Sequence, residues 1–194
     1  MKMKYINQGF TFAELIITVA VFGILSGASF ITFSKNWEGE RVKAATREAT
    51  AWLEEARKVA IQTSMPCRLS INTGNATLSL DTNAPEEDTN IYCDQNNLAQ
   101  LALRSRIKGA NELRLCLADL NSQDPSTINL PCTNNQNGES FISFTPRGTA
   151  VEGVLLKLHL TDTSSDRCIA VISPMGQIRS GRSTNSGCDF TTAY

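Results

Sequence analysis

An apolar run near the amino end constrains this chain more than any other feature. From Phe10 to Phe33 it reads FTFAELIITVAVFGILSGASFITF, with Glu14 as its one charge. A helix rising about 1.5 Å per residue over that length crosses a hydrocarbon core of about 30 Å, so the run predicts a membrane segment. Ahead of it lies a short leader made basic by Lys2 and Lys4, which the positive-inside tendency holds in the cytoplasm while the remainder is translocated. A secretory signal has a shorter apolar region, about 7 to 15 residues, closed by a small-residue cleavage site. A plain single-pass anchor leaves Glu14 without a reason. A carboxylate at the centre of a membrane helix costs roughly 2.5 to 3.5 kcal/mol on insertion scales, less near the interface, so the position calls for a partner.

The string Gly9-Phe10-Thr11-Phe12-Ala13-Glu14-Leu15-Ile16 behind its basic leader resembles the processing site of type IV prepilins and type II secretion pseudopilins. The resemblance implies that prepilin peptidase cuts between Gly9 and Phe10 and methylates the new amino group. It also implies that the helix is first an inner-membrane anchor and later packs among other pilins or pseudopilins. Glu14 then has a partner, the charged amino terminus of Phe10 in a neighbouring subunit, and removing either member would strand the other.

Past the apolar run, Val42, Ala45, Ala49, Trp52, Leu53, Ala56 and Ala60 recur every three or four residues, the stripe of an amphipathic helix. Lys43, Arg47, Glu48, Glu54, Glu55 and Lys58 form its solvated side, with Glu54 and Lys58 in the favourable i to i+4 order. Asn36 and Gly39 are weak helix formers, which permits but does not require a bend or partial melting between the two helical halves. Pro66 ends the helix, because the residue before proline avoids helical angles. From Cys67 the period becomes two. Cys67 to Asn72 and Asn75 to Leu80 flank Asn72-Thr73-Gly74-Asn75 as a hairpin. Short strands are also expected at Thr89 to Cys93, Leu101 to Ile107, Glu112 to Ala118, Phe141 to Thr145, Leu155 to Thr161 and Cys168 to Ser173. Asn121 to Glu139 and Ala84 to Asp88 read as polar surface loops.

The expected fold is therefore α+β, a lollipop with a long amino-terminal helix whose second half packs on an antiparallel sheet. Its segments are a leader at 1–9, a membrane and filament-core half-helix at 10–33, an amphipathic half at 34–65 and a β-rich head at 66–194. Phe141 to Gly148 and Cys168 to Arg179, each a strand followed by a Pro-x-Gly turn, resemble the carboxyl half of GspH/FimT-type minor pilins and pseudopilins. The turn has its own logic, since proline presets one backbone angle and glycine accepts a positive one two residues later.

The whole chain has 194 residues and a formal net charge of -1, which argues against coating nucleic acid by bulk charge. One histidine and six cysteines without a CxxC pair point to no metal site and no cofactor. His159 shares a strand face with Lys157 and Thr161, opposite Leu156, Leu158 and Leu160, which reads as a surface position rather than part of a catalytic triad; no enzymatic activity is expected. Cys67, Cys93, Cys116, Cys132, Cys168 and Cys188 all follow the membrane run, which fits an oxidising compartment such as the periplasm. Fifteen pairings are open to six cysteines. Pairing of sequence neighbours is the simplest, with Cys168 to Cys188 foremost, a closure worth about 3 kcal/mol through restriction of the unfolded chain.

These features suggest a structural minor subunit of a type IV pilus that primes or joins the fibre. A type II secretion minor pseudopilin is the alternative that differs in partner rather than fold. A third reading also comes from the resemblance, because some GspH/FimT-type minor pilins bind DNA through a basic carboxyl-terminal Gly-Arg-x-Arg segment. This chain has Arg179-Ser180-Gly181-Arg182-Ser183-Thr184, with Thr184 where the second arginine belongs. Arg179, Arg182 and Arg167 are the candidates to hold two or three phosphates in a weak, salt-sensitive site.

Overall fold

The structure, a computed structural model, describes residues 10–81, 93, 98–106, 113–120, 123–132, 138–161 and 166–191; within the first helix the side chains of 28–36 and 38 are outside that description. Residues 1–38 and 39–194 form two units, and each is described by itself.

In the first unit, helix α1 begins at Phe12 and continues to Thr63. It passes through Asn36 and Gly39 without a break in its helical assignment. Every described side chain from 10 to 27 is exposed, including Phe10, Phe12, Ile16, Val19, Phe22 and Ile24. Among the described residues no helix is long and apolar enough to cross a membrane. The described side chains of the apolar run stop at residue 27.

In the second unit, the 39–63 part of α1 carries the central stripe of the head. Val42, Ala45, Ala49, Leu53, Ala56, Val59 and Ala60 are buried and Trp52 packs against them, while the Trp52 indole N–H donates to the Ala99 carbonyl at 2.7 Å. Small residues dominate the stripe, so sheet side chains can approach the helix closely. The solvated side pairs differently from expectation. Lys58 meets Glu55 at 3.5 Å and Lys43 meets Glu40 at 3.6 Å, both at the i, i+3 spacing that a helix surface equally permits. The helix ends at Thr63, and Ser64 turns left-handed at φ 54°, two residues before Pro66.

Among the described residues nine strands form two antiparallel sheets. β1 (Cys67–Asn72), β2 (Thr77–Leu80), β3 (Leu101–Ala102) and β5 (Glu139–Phe144) are arranged β3-β2-β1-β5. β4 (Leu113–Asp119), β6 (Val154–Leu160), β7 (Arg167–Ile172), β8 (Gln177–Thr184) and β9 (Gly187–Asp189) follow one another across the second sheet. The expected hairpin is present, with the Asn72 side chain accepting the Asn75 N–H at 2.9 Å. The left-handed residue in it is Ala76 at φ 50°, not Gly74.

Three expectations are corrected. Leu101 to Ile107 keeps only two strand residues before the helical turn α2 (Leu103–Arg106). β3 pairs Leu101 with Leu78 and Ala102 with Thr77, and Thr77 is the end of β2, so beyond Ala102 there is no ladder left to join. The chain after Gly176, where no strand is expected from the sequence, forms β8 and β9. Asn121 to Glu139 is more than a surface loop, for Leu130 is buried and Ile128 and Cys132 pack beside it. Most of the expected Thr89 to Cys93 strand, and Ala84 to Asp88, lie outside the described residues.

One large core joins α1 to the inner faces of both sheets through Leu69, Ile71, Ile142, Phe144, Leu156, Leu158, Ile169 and Val171. A second, smaller core lies on the other face of the five-stranded sheet. There Leu120, Leu155, Cys168, Ala170 and Cys188 are covered by Leu130 and Phe190. Disulfides join Cys67 to Cys93, Cys116 to Cys132 and Cys168 to Cys188, each a pair of sequence neighbours. The last spans β8, tying β7 directly to β9. The two Pro-x-Gly turns, with Gly148 at φ 77° and Gly176 at φ 64°, nest so closely that a Cβ on Gly176 would strike the Gly148 carbonyl. Arg57 of α1 fastens both, donating from Nε to Gly148 O at 2.7 Å and from Nη2 to Met175 O at 3.4 Å.

Candidate functional site

The amino end and the basic hairpin β7-β8 carry the candidate residues. At the amino end, Phe10 and Thr11 precede the first helical residue and Phe10 is 85% exposed; Gly9 is outside the described residues. Thr11 and Glu14 form a reciprocal cap. The Thr11 N–H and hydroxyl both donate to Glu14 Oε2 at 2.9 Å, and the Glu14 N–H donates to Thr11 Oγ1 at 3.3 Å. This is the Thr-x-x-Glu capping box, which satisfies orphan donors at both ends of the first turn. The pattern stands in the sequence as Thr11-Phe12-Ala13-Glu14 and escapes notice when Glu14 is considered only for a partner in another subunit. In the uncut chain, then, the Glu14 carboxylate already has hydrogen-bond donors within its own first turn.

The hairpin divides the three arginines. Arg182 lies directly across from Arg167, whereas Arg179 lies across from Ala170. With an unbroken register and a side-chain period of two, Arg179 and Arg182, three residues apart, point to opposite faces of the sheet. Arg167 and Arg182 point to the inner face with Ile169; Arg179 belongs to the outer face with Ala170. Arg167 is itself only 9% exposed. A single surface built from Arg167, Arg179 and Arg182, as the phosphate-binding expectation requires, does not form. Gly181 also has a packing reason, since a Cβ there would strike the Asp189 carbonyl and the Phe190 ring.

On the outer face, His159 is not fully solvated. Its Nδ1 lies 2.8 Å from Asp166 Oδ1, and Lys157 Nζ lies 3.0 Å from Oδ2 of the same carboxylate. Lys157 also donates to the Leu130 carbonyl at 3.3 Å, so these groups fasten the covering segment. Asp124 in that segment is held below the usual carboxylate range, first by the backbone N–H of Ser126, then by the Ser126 hydroxyl, with Arg179 adding a smaller pull.

A cleft of about 580 Å³ lies on the head between Arg68, Asp119, Glu139, Phe141, Glu152 and Ser173. Its polar groups are largely occupied: Glu139 accepts from Ser70, Glu152 accepts the Ser143 N–H at 2.7 Å, and Arg68 pairs with Asp81 at 3.1 Å while stacking on Phe141. Among the described residues no group of His, Cys, Asp and Glu has the arrangement to hold a metal ion.

The family model described as a prokaryotic N-terminal methylation motif matches residues 6–30. Among solved structures the chain is similar to the type IV minor pilin FimU of Pseudomonas aeruginosa in two crystal forms. The first is 17% identical over 81% of this chain and 98% of that chain, with a TM-score of 0.48. The second is 16% identical over 78% and 98%, with a TM-score of 0.44. No curated protein sequence matches at a significant level.

Proposed function

We propose that this chain, type IV pilin-like in its methylation motif, is a non-enzymatic minor subunit of a type IV pilus of the GspH/FimT kind. One observation carries the reading: residues 6–30 match the methylation motif, and within them the Gly9-Phe10 junction precedes a helix whose described amino-terminal side chains are all exposed and mostly apolar. Prepilin peptidase cuts after Gly9 and methylates Phe10. The run from Phe10 to Phe33 then anchors the subunit in the inner membrane with the head in the periplasm, and on assembly the same helix packs among those of other pilins. Three disulfides in the head support an oxidising destination. Cleavage also gives Glu14 a new choice, because a charged Phe10 amine of a neighbouring subunit competes for the carboxylate with the Thr11 cap.

Mass spectrometry of the membrane fraction tests the processing step: the expected species begins at N-methylated Phe10, and a stable, functional form that retains Met1 overturns the reading. Partner choice is tested separately. Recovery of the mature chain in sheared surface fibres is expected, whereas exclusive recovery with a secretion apparatus would assign it to the type II pseudopilus.

A further inference from the structure

A strand at the edge of a sheet turns every second residue's N–H and C=O outward, and those groups pair with whatever runs beside them. On β9 the chain itself runs beside the edge, where the Cys188 N–H donates to the Pro125 carbonyl at 3.2 Å. β5 is different. It pairs with β1 on one side, and the Thr73 N–H donates to the Gly138 carbonyl at 3.0 Å, which sets the phase of the ladder. Ser140, Ile142 and Phe144 therefore turn their backbone groups toward β1, while Glu139, Phe141 and Ser143 turn theirs away. Ser143 is met by the returning chain: its carbonyl accepts the Val151 N–H at 2.9 Å and its N–H donates to Glu152 Oε2 at 2.7 Å. Beside it Ala150 bridges Phe144 in the antiparallel sense. At Glu152 the return leaves the ladder, and the backbone groups of Glu139 and Phe141 have no outward partner among the described residues.

The cleft of about 580 Å³ borders this open stretch, for Glu139 and Phe141 line it together with Val151, Glu152, Gly153 and Asp119. Its charge is one-sided. Three carboxylates, Asp119, Glu139 and Glu152, stand against one guanidinium, that of Arg68, and Arg68 lies 3.1 Å from a fourth carboxylate, Asp81. Among the described residues none of the three is in an ion pair. Phe141 under the Arg68 guanidinium and Val151, 60% exposed, add apolar surface.

We infer that the open stretch of β5 takes an extended, basic segment of a partner protein as an added antiparallel strand, continuing the place that Ala150 and Val151 begin. Main-chain hydrogen bonds to Glu139 and Phe141 supply the attachment, and side chains at alternate positions supply the choice of partner. A residue directly across from Glu139 shares its face of the sheet, where an opposite charge is favoured; Lys or Arg at alternate positions therefore fits this edge, and Asp or Glu there is rejected. The inference is independent of the processing and filament reading, because every residue in it belongs to the head.

The test is fluorescence polarisation of a labelled, end-capped hexapeptide of alternating lysine and threonine against the full chain in nonionic detergent. Saturable binding is expected, and the glutamate–threonine counterpart should not bind. Residues across from Glu139 and Phe141 bond through their own N–H and C=O, so N-methylation of the lysine amides should abolish binding while N-methylation of the threonine amides leaves it. Phe141→Pro removes an outward N–H and spares the pairing with β1, a substitution an edge strand tolerates, and should weaken binding about tenfold or more. Glu139→Gln, which keeps an acceptor for the Ser70 hydroxyl, combined with Asp119→Asn should weaken it about tenfold. Should Phe141→Pro fail to fold, the two N-methylated peptides decide the matter on the unaltered protein. Absence of saturable binding, equal binding of the two N-methylated peptides, or equal binding of the glutamate peptide would each overturn the inference. So would a dimer, seen by light scattering in the same detergent, that Phe141→Pro dissolves, since the edge would then belong to a second copy of this chain.

Discussion

The amino-terminal unit and the head spend apolar residues in opposite ways. From 10 to 27 the chain exposes Phe10, Phe12, Ile16, Val19, Phe22 and Ile24 and forms hydrogen bonds chiefly within its own helix. From 39 onward the same helix turns a stripe of small residues into a core shared with two sheets, and three disulfides reinforce it. Exposed apolar patches beyond a few hundred Å² mark a surface made for lipid or protein. The first unit is thus incomplete by composition, and the head is complete. Substitutions should separate the two: in the first unit they alter what the protein joins, in the second whether it folds.

The largest effect is expected where that division is sharpest. Glu14→Ala should leave the thermal unfolding of the head unchanged and still permit cleavage, yet reduce incorporation into sheared fibres about a hundredfold. A stranded buried charge costs roughly 3 to 5 kcal/mol, more than enough for such a loss. Normal incorporation would break the comparison. Next comes Leu53→Ala, at a site with 0% exposure, which should cost the head about 2 to 5 kcal/mol in urea unfolding. Ile17→Ala, 62% exposed on the same helix, should leave that unfolding curve in place. Equal effects of the two would show that the units are not separate in stability. Replacing Cys168 and Cys188 together with Ser should cost about 3 kcal/mol. Thr11→Val, which removes the capping hydroxyl while keeping the shape, should cost the first turn about 1 kcal/mol, visible as faster amide exchange there and nowhere in the head.

Much of this division is legible in the residues, and the failures are instructive. The stripe from Val42 to Ala60 shows because a helix that packs on one side must repeat near 3.6, and the main strands show because half-buried strands must alternate. β8 does not show. Its sequence, Gln177 to Thr184, offers Ile178 as its one large apolar residue, and its place in the sheet comes from pairing with β7 and from the Cys168–Cys188 bond that spans it. Neither signal is local. The same blindness produced the single arginine surface: without a strand there, Arg179 and Arg182 look like neighbours, and only the ladder puts them on opposite faces. The Thr11-x-x-Glu14 cap, by contrast, was readable by spacing alone.

The smallest effect probes the segment that completes the head's second core. Asp124 Oδ1 accepts the Ser126 N–H at 2.9 Å and its hydroxyl at 2.7 Å, while the next residue, Pro125, receives the Cys188 N–H at 3.2 Å. This fixes the turn that leads toward buried Leu130. Both Ser126 bonds favour the charged carboxylate, so the folded pKa lies below the ordinary aspartate value of about 3.9. The sign follows: the stabilisation is fully present above that ordinary value and is lost as the pH falls through the lower folded pKa, where the proton neutralises the acceptor. Asp124 is fully exposed, and solvent keeps the effect small. Asp124→Asn retains an acceptor oxygen but cannot titrate, so the difference in unfolding midpoint between wild type and variant should be constant from pH 7 to pH 5 and shrink below about pH 3.9. A difference independent of pH down to pH 2 would show that the turn is held by its backbone and by Cys188, with no contribution from the carboxylate charge.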